Sequence, residues 1–432
     1  MKRGFWNVAA VVAGAGLGLC PAPASADESG CAGVIGRDEV VPCALAASEA
    51  IRAQEEAIAA GEGRLTAAEP YLPSNPVLSL GLGPSFDLRG GRPTPVWSAA
   101  LSQEIEVGGQ REARIDAAEA ELRAARALER GTRREVAVGA WNAYFDALAG
   151  DEARVLAVRL EARTEALAVA ARARAEAGAA SSIEADVAEA EALRALGARL
   201  AAERRAQAAR RTLALYVGAD RPAGRAGVSA EGALEPLPVA EALASSPPTD
   251  AAGARPEVLA TEAEEAAQAA RAQEHRSAQL PNLTLSIFGN GTHAAAAIGI
   301  GVSFPIPLPE PAGRLREGDI AEAEALGRRA GAEAERLRRH ADLELANAVE
   351  EYRSRRVEAQ AFTPARIAQA ERVLGELAAA VTKGEVAVKD AVQAERPLVE
   401  LLQAAVEAEW ALCLASVELA RAGGVALEGG SR

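Results

Sequence analysis

At 432 residues, with a formal net charge of −14 and 49% hydrophobic but only 3% aromatic content, the chain is Ala-rich and helix-favouring. Alanine carries the apolar count, which suits long coiled coils of closely approaching helices rather than a thick Leu/Phe core. The acidic balance argues against nucleic acid as a partner. Beyond the N-terminus no run of about 18 uncharged apolar residues occurs, so any membrane crossing by the mature chain falls to strands.

Lys2 and Arg3, the apolar run Phe5 to Leu19 and Ala24-Ser25-Ala26 read as a secretory signal peptide over residues 1–26. Its removal would make the net charge more negative by two. Lipidation at Cys20 is the weaker reading, because Leu19 stands where a small residue is required. Residues 27–42 are expected to form an irregular leader. Cys31 and Cys43 could close a small disulfide loop in an oxidising compartment, leaving Cys413 alone in helical sequence. From Ala44 to Glu69 the pattern is helical, with a break expected around Gly61 and Gly63.

A first β-hairpin is predicted within residues 75–107. Leu78, Leu80 and Leu82 alternate with Ser79, Gly81 and Gly83, and Trp97, Ala99, Leu101, Ile105 and Val107 alternate with Ser98, Ala100, Ser102, Glu104 and Glu106. One face is greasy and the other small or polar, as a water-filled membrane barrel requires. A soluble sheet with one wet face would alternate in the same way. Gly108-Gly109 then opens a long helix over 110–177, amphipathic through Val136, Trp141, Tyr144, Phe145, Leu148, Val155, Leu156 and Leu160. At 1.5 Å per residue it would be about 100 Å long, several bilayer thicknesses, so most of it must stand outside a membrane. Gly178 to Ser182 makes a turn, and a return helix runs over 183–217.

Residues 219–254, rich in proline, read as a connector of short elements around the middle of the rod. The pattern then repeats over 255–422: a climbing helix, a hairpin over 282–305, a long helix over 313–382 with Pro364 as a kink or junction, and a return helix over 386–422. In the second hairpin Leu283, Leu285 and Ile287 alternate with Thr284 and Ser286, and Ile298, Ile300, Val302 and Phe304 with Gly299, Gly301 and Ser303. From the hairpin proline to the next turn glycine is about 105 residues in the first half (Pro73 to Gly178) and about 103 in the second (Pro281 to Gly384), so the chain is an internal duplication. Residues 423–432 are expected to be a disordered tail.

His275, His293 and His340 stand at no metal-ligand spacing with one another or with a cysteine. Gly289-Asn290-Gly291 lacks the context of a phosphate loop. The many Glu and Arg residues of the helices read as solvated faces with i,i+4 pairing. No catalytic constellation and no cofactor site is expected. Four strands cannot enclose a lumen, and two, three or four copies would pool about 8, 12 or 16 of them. An open edge in hydrocarbon would leave backbone groups unsatisfied, so insertion requires association.

With Asn75-Pro76, the segment from Leu101 to Arg111 (LSQEIEVGGQR), Trp141-Asn142-Ala143-Tyr144-Phe145, Leu215-Tyr216-Val217-Gly218, Arg255-Pro256-Glu257, Leu280-Pro281-Asn282 and the segment from Gly301 to Leu308 (GVSFPIPL), the chain resembles the TolC-like outer membrane efflux family from about Cys43 to Gly424. The LSQEIEVGGQR and PIPL runs look most like its heavy-metal, cobalt-zinc-cadmium branch. The resemblance implies a mainly α fold with a small β part, assembled as a homotrimer with a 12-stranded β-barrel continuous with a 12-helix periplasmic α-barrel. It also implies an outer-membrane location, a periplasmic adaptor protein and an inner-membrane pump of the RND type as partners, and passive export of small molecules or metal cations. A type I protein secretion channel and a periplasmic coiled-coil protein that never inserts are the alternatives.

Residues are carried over by position. Gly178, Ala179, Ala180, Ser181 and Ser182, and Lys383, Gly384, Glu385 and Val386, match the tips that meet the adaptor. Asp390, six residues after Gly384, falls where the family places an aperture-lining aspartate, and Glu184 stands six residues after Gly178. Three-fold carboxylates would make a cation-favouring constriction. The competing reading is that Glu184 and Asp390 cap helix starts. Gln393 stands where a second aperture acid can occur, and Val386 replaces a basic residue of some members. Leu78, Leu80, Leu82, Trp97, Ala99, Leu101, Leu283, Leu285, Ile287, Ile298, Ile300 and Val302 are the expected lipid-facing positions.

Overall fold

In the computed structural model the described residues are 31, 33–86, 93–219, 227–292, 295–309, 312–313, 315–425 and 427. The signal peptide, Cys20 and His293 lie outside them. The chain begins with β1 (Val34–Ile35), α1 (Val40–Ala47) and α2 (Glu49–Ala68), then β2 (Val77–Ser85) and β3 (Thr94–Ile105). Next come α3 (Gln110–Glu176) and α4 (Ser182–Tyr216), followed by β4 (Ser229–Ala230) and α5 (Pro238–Ser245). The second half holds α6 (Pro256–Ser277), β5 (Leu283–Thr292), β6 (Ala296–Ser303), α7 (Glu317–Ala361), α8 (Pro364–Lys383) and α9 (Val388–Ala422).

Without a proline, α3 runs unbroken for 67 residues, burying alanines for much of its length. Its counterpart breaks in two. Pro364 cannot donate to the preceding turn, so α7 ends at Ala361 and α8 restarts with Thr363 as N-cap, its hydroxyl accepting from the Arg366 amide at 3.4 Å. Arg366 spans the junction by donating to the Ala361 carbonyl at 2.7 Å.

Three sequence expectations are corrected. The helix expected to break at Gly61 and Gly63 is continuous there; it breaks instead at Ser48, whose side chain caps α2 by accepting from Ile51. Gly61 is buried, and a Cβ on it would stand 3.1 Å from Leu122 Cδ1, so it lets α2 lie close to α3. From residue 33 on the leader is not irregular: Val34 and Ile35 pair in parallel with Ser229 and Ala230, and Val40 and Val41 are buried from α1. At the C-terminus, Val425 and Leu427 pack on the core, whereas 426 and 428–432 lie outside the described residues.

The main core lies at the middle of the rod. The run Trp141, Tyr144 and Phe145 interlocks there, with Trp141 stacked on Phe145 at 5.7 Å and Tyr144 edge-on to Phe145 at 5.6 Å. The Tyr144 hydroxyl donates to the Glu231 carbonyl at 2.7 Å, tying the connector to α3. Cys31 and Cys43 form a disulfide and Cys413 is buried as a free thiol, its pKa pushed up to about 12 by burial. Arg255, 3% exposed, donates to Glu344 and to the carbonyls of Ala341 and Ala422. Arg134 donates to the Arg421 carbonyl, so two buried cations meet the negative end of α9. No helix among the described residues is long and apolar enough to cross a membrane.

Candidate functional site

Both hairpins join one four-stranded antiparallel sheet in the order β2-β3-β5-β6, because β3 pairs with β5 from Val96↔Thr292 to Ile105↔Leu283. Residues paired across an antiparallel ladder share a face. The pairs Leu78↔Leu101, Leu80↔Ala99, Leu82↔Trp97, Leu101↔Ile287, Leu285↔Val302 and Ile287↔Ile300 therefore gather one apolar face, which Leu283 and Ile298 join. Leu82 is 85% exposed, Ile298 85% and Ile300 80%. Nothing among the described residues covers this face. The opposite face carries Ser79, Ser98, Ser102, Thr284, Ser286 and Asn290, with Phe288 lying against Gly299. The outer strands β2 and β6 have no partner on their free edges among the described residues.

Gln103 is the polar residue on the apolar face, at its helix-proximal margin, and turns its amide to the carbonyls of Ser74 and Glu104 at 2.9 and 2.8 Å. Beneath the sheet, Gln110 donates to Leu280 and Asn282, and Asn282 to Glu104. These bonds fasten the first hairpin to the second where strands become helices.

At the far end of the rods the two turns meet. Gly178 (φ 74°) and Gly384 (φ 79°) take the left-handed conformation that ends a helix, and the following amides, Ala179 and Glu385, bond back to Arg174 and Ala380 at 2.8 and 3.0 Å. Leu167, Ala171, Ala188, Val381, Val388 and Ala391 pack between the turns, with Ala180 and Val386 on the rim of the cluster. Arg174 donates to the Val381 carbonyl at 2.8 Å and the Ala179 carbonyl at 3.4 Å, binding one turn to the other. Ala179, Ser181, Ser182, Lys383, Gly384 and Glu385 are left exposed.

The two carboxylates differ. Glu184 accepts from the Ser181 amide at 3.1 Å while the Ser181 hydroxyl accepts from Ile183, a capping box that turns Glu184 onto its own helix. Asp390 is exposed in the first turn of α9, whose N-cap Ala387 has no capping side chain. Among the described residues no side chain bonds to Asp390. His340 faces Glu344 at 2.9 Å, and no group of three His, Cys, Asp or Glu side chains able to hold a metal occurs among the described residues.

Arg174, and the buried pair Thr164 and Glu395 above the tip, escape a reading of sequence alone. On an amphipathic helix nothing in residue type separates a buried charge from a solvated one; the weak signal is Pro397, two residues after Glu395.

Residues 90–219 match the model of the outer membrane efflux protein family. The fold is similar to that of the Campylobacter jejuni outer membrane channel CmeC, with a TM-score of 0.75 at 14% identity over 90% of this chain and 85% of that one. It is also similar to the outer membrane protein VceC of Vibrio cholerae, at 0.72 and 20% over 90% and 95%, and to CusC, at 0.71 and 16% over 90% and 91%. No curated protein matches the sequence. Residues 90–219 are thus similar to the outer membrane efflux protein family, and the fold of the chain is that of these outer membrane channels.

Proposed function

We propose that this protein is the outer membrane duct of a tripartite efflux system: a homotrimer pooling twelve strands into a barrel, with its paired rods extending the lumen through the periplasm. One observation carries this reading. The four-stranded sheet exposes a continuous apolar face and two open edges at one end of rods about 100 Å long. In water that face and those edges are a liability; in lipid, closed by neighbouring copies, they are a barrel wall. The polar face then lines the lumen.

The duct moves its cargo passively, driven by an inner-membrane pump of the RND type through a periplasmic adaptor. The turns at 178–182 and 383–386 meet the adaptor. Asp390, repeated three times, lines the periplasmic aperture and favours cations. Glu184, held by Ser181, contributes mainly to the helix start. The resemblance of the LSQEIEVGGQR and PIPL runs to the heavy-metal branch makes divalent metal cations the cargo to test first.

Purified protein in planar bilayers tests the reading. Heat-resistant trimers from the outer membrane fraction with stepwise conductance are expected; full solubility without detergent, or a monomer giving no conductance, contradicts it.

A further inference from the structure

Five residues beyond Asp390, Glu395 of α9 is 6% exposed. Its Oε1 lies 2.5 Å from Thr164 Oγ1 on α3, and that hydroxyl lies 3.0 Å from the Leu160 carbonyl. A hydroxyl has one proton to give. With the carboxyl ionised that proton is drawn to Glu395; with it neutral, Glu395 can donate to Thr164 and leave the Thr164 proton to Leu160, so only the neutral acid serves both contacts.

The surroundings favour that form. Burial pushes the Glu395 carboxyl above the ordinary range, the Thr164 bond works against this, and the charge of Glu191 adds to the rise. Glu191 and Arg194 face it from α4 but pair with each other at 2.7 Å. Glu161 of α3 is taken by Arg199 of α4 at 2.6 Å, and Arg396 and Glu400 flank it on α9. No cation among the described residues forms an ion pair with Glu395. Two residues on, Pro397 has no N–H for the Gln393 carbonyl, so the α9 ladder has a gap beside the buried acid.

We propose that Glu395 is a proton-operated latch: as the neutral acid it lets the lower end of α9 stay packed on α3 beside Thr164, and its ionisation, unfavourable in that buried place without a cation, frees residues 388–396, with Asp390, to swing about Pro397. The part played by Asp390 rests on the duct reading; the latch itself does not. The fastened state holds the proton more tightly than the released one. It is therefore favoured at acidic pH and loosens as pH rises through the elevated carboxyl value.

Hydrogen exchange on purified trimers, corrected for intrinsic rate and followed across pH beside bilayer conductance, reads both steps. In the unaltered protein, amide protection across 388–396 should fall about tenfold from acidic to mildly alkaline pH, with conductance rising in parallel. Glu395→Gln, which can donate to Thr164 but cannot ionise, should stay protected and weakly conducting throughout. Thr164→Val, which removes the hydroxyl that eases ionisation, should move the fall in protection to higher pH. Protection that does not change with pH in the unaltered protein, or either variant keeping the unaltered protein's pH profile, overturns the latch. Protection that shifts with Glu395 in a protein that never conducts upholds the latch and refutes the duct.

Discussion

At the first tip Ser181 and Glu184 close a capping box on α4, whereas at the second Ala387 occupies the N-cap and the Asp390 carboxylate is left without a bonded partner among the described residues. The descending helices end alike, each at a left-handed glycine with the same backward amide bond. The duplication has therefore kept the turn and let the following helix start diverge. Equal spacing from the glycine does not make Glu184 and Asp390 equivalent, because a carboxylate engaged by its own backbone is not offered to a lumen.

The largest expected effect tests the helices that climb to the hairpins. In the first half Ser48 caps α2, while in the second the N-cap position of α6 is Arg255, which reaches across to Glu344 and the end of α9. Arg255→Leu should cost about 3 kcal/mol or more, because two buried carbonyls and a carboxylate lose their donor. Ser48→Ala should cost about 1 kcal/mol. Denaturant midpoints of the two variants measure the contrast, and equal losses would erase it.

Next come the tips. Asp390→Asn should lower the cation-to-anion permeability ratio, while Glu184→Gln should leave it nearly unchanged and weaken the start of α4 by about 0.5–1 kcal/mol. Reversal potentials in a salt gradient separate these, and equal loss of selectivity would restore the equivalence. Arg174→Gln should loosen the junction between the tips, read as faster exchange at the Glu385 and Ala179 amides, since the Val381 and Ala179 carbonyls lose a charged donor. The smallest effect belongs to the helix junction: Thr363→Ala, whose cap bond is long at 3.4 Å, should destabilise the first turn of α8 by about 0.5 kcal/mol, seen as faster exchange at Arg366.

The ribbons were legible in the sequence because alternation with period two survives in four strands and is written twice, and Gly178 and Gly384 announced their turns by composition alone. The register between β3 and β5 was not legible, since alternation within each hairpin does not say which hairpins pair. Val34–Ile35 escaped notice because a two-residue strand has no period, and its partner Ser229–Ala230 is nearly 200 residues away. Gly61 looked like a helix breaker because its reason for being small, the approach of Leu122, lies in another helix. Arg134, Arg255 and Glu395 were hidden by chemistry: in a chain with 25% charged residues, a buried charge is spelled like its solvated neighbours.

Site-directed labelling of the ribbons in outer-membrane vesicles tests the central claim most directly. Single cysteines at 78, 80, 298 and 300, and at 79, 98, 286 and 290, are probed with a water-soluble thiol reagent and with a lipid-soluble quencher. The account predicts that the first set is quenched from lipid and shielded from the aqueous reagent, and that the second behaves in the opposite way. Uniform aqueous labelling of both sets would mean that the sheet never enters a membrane.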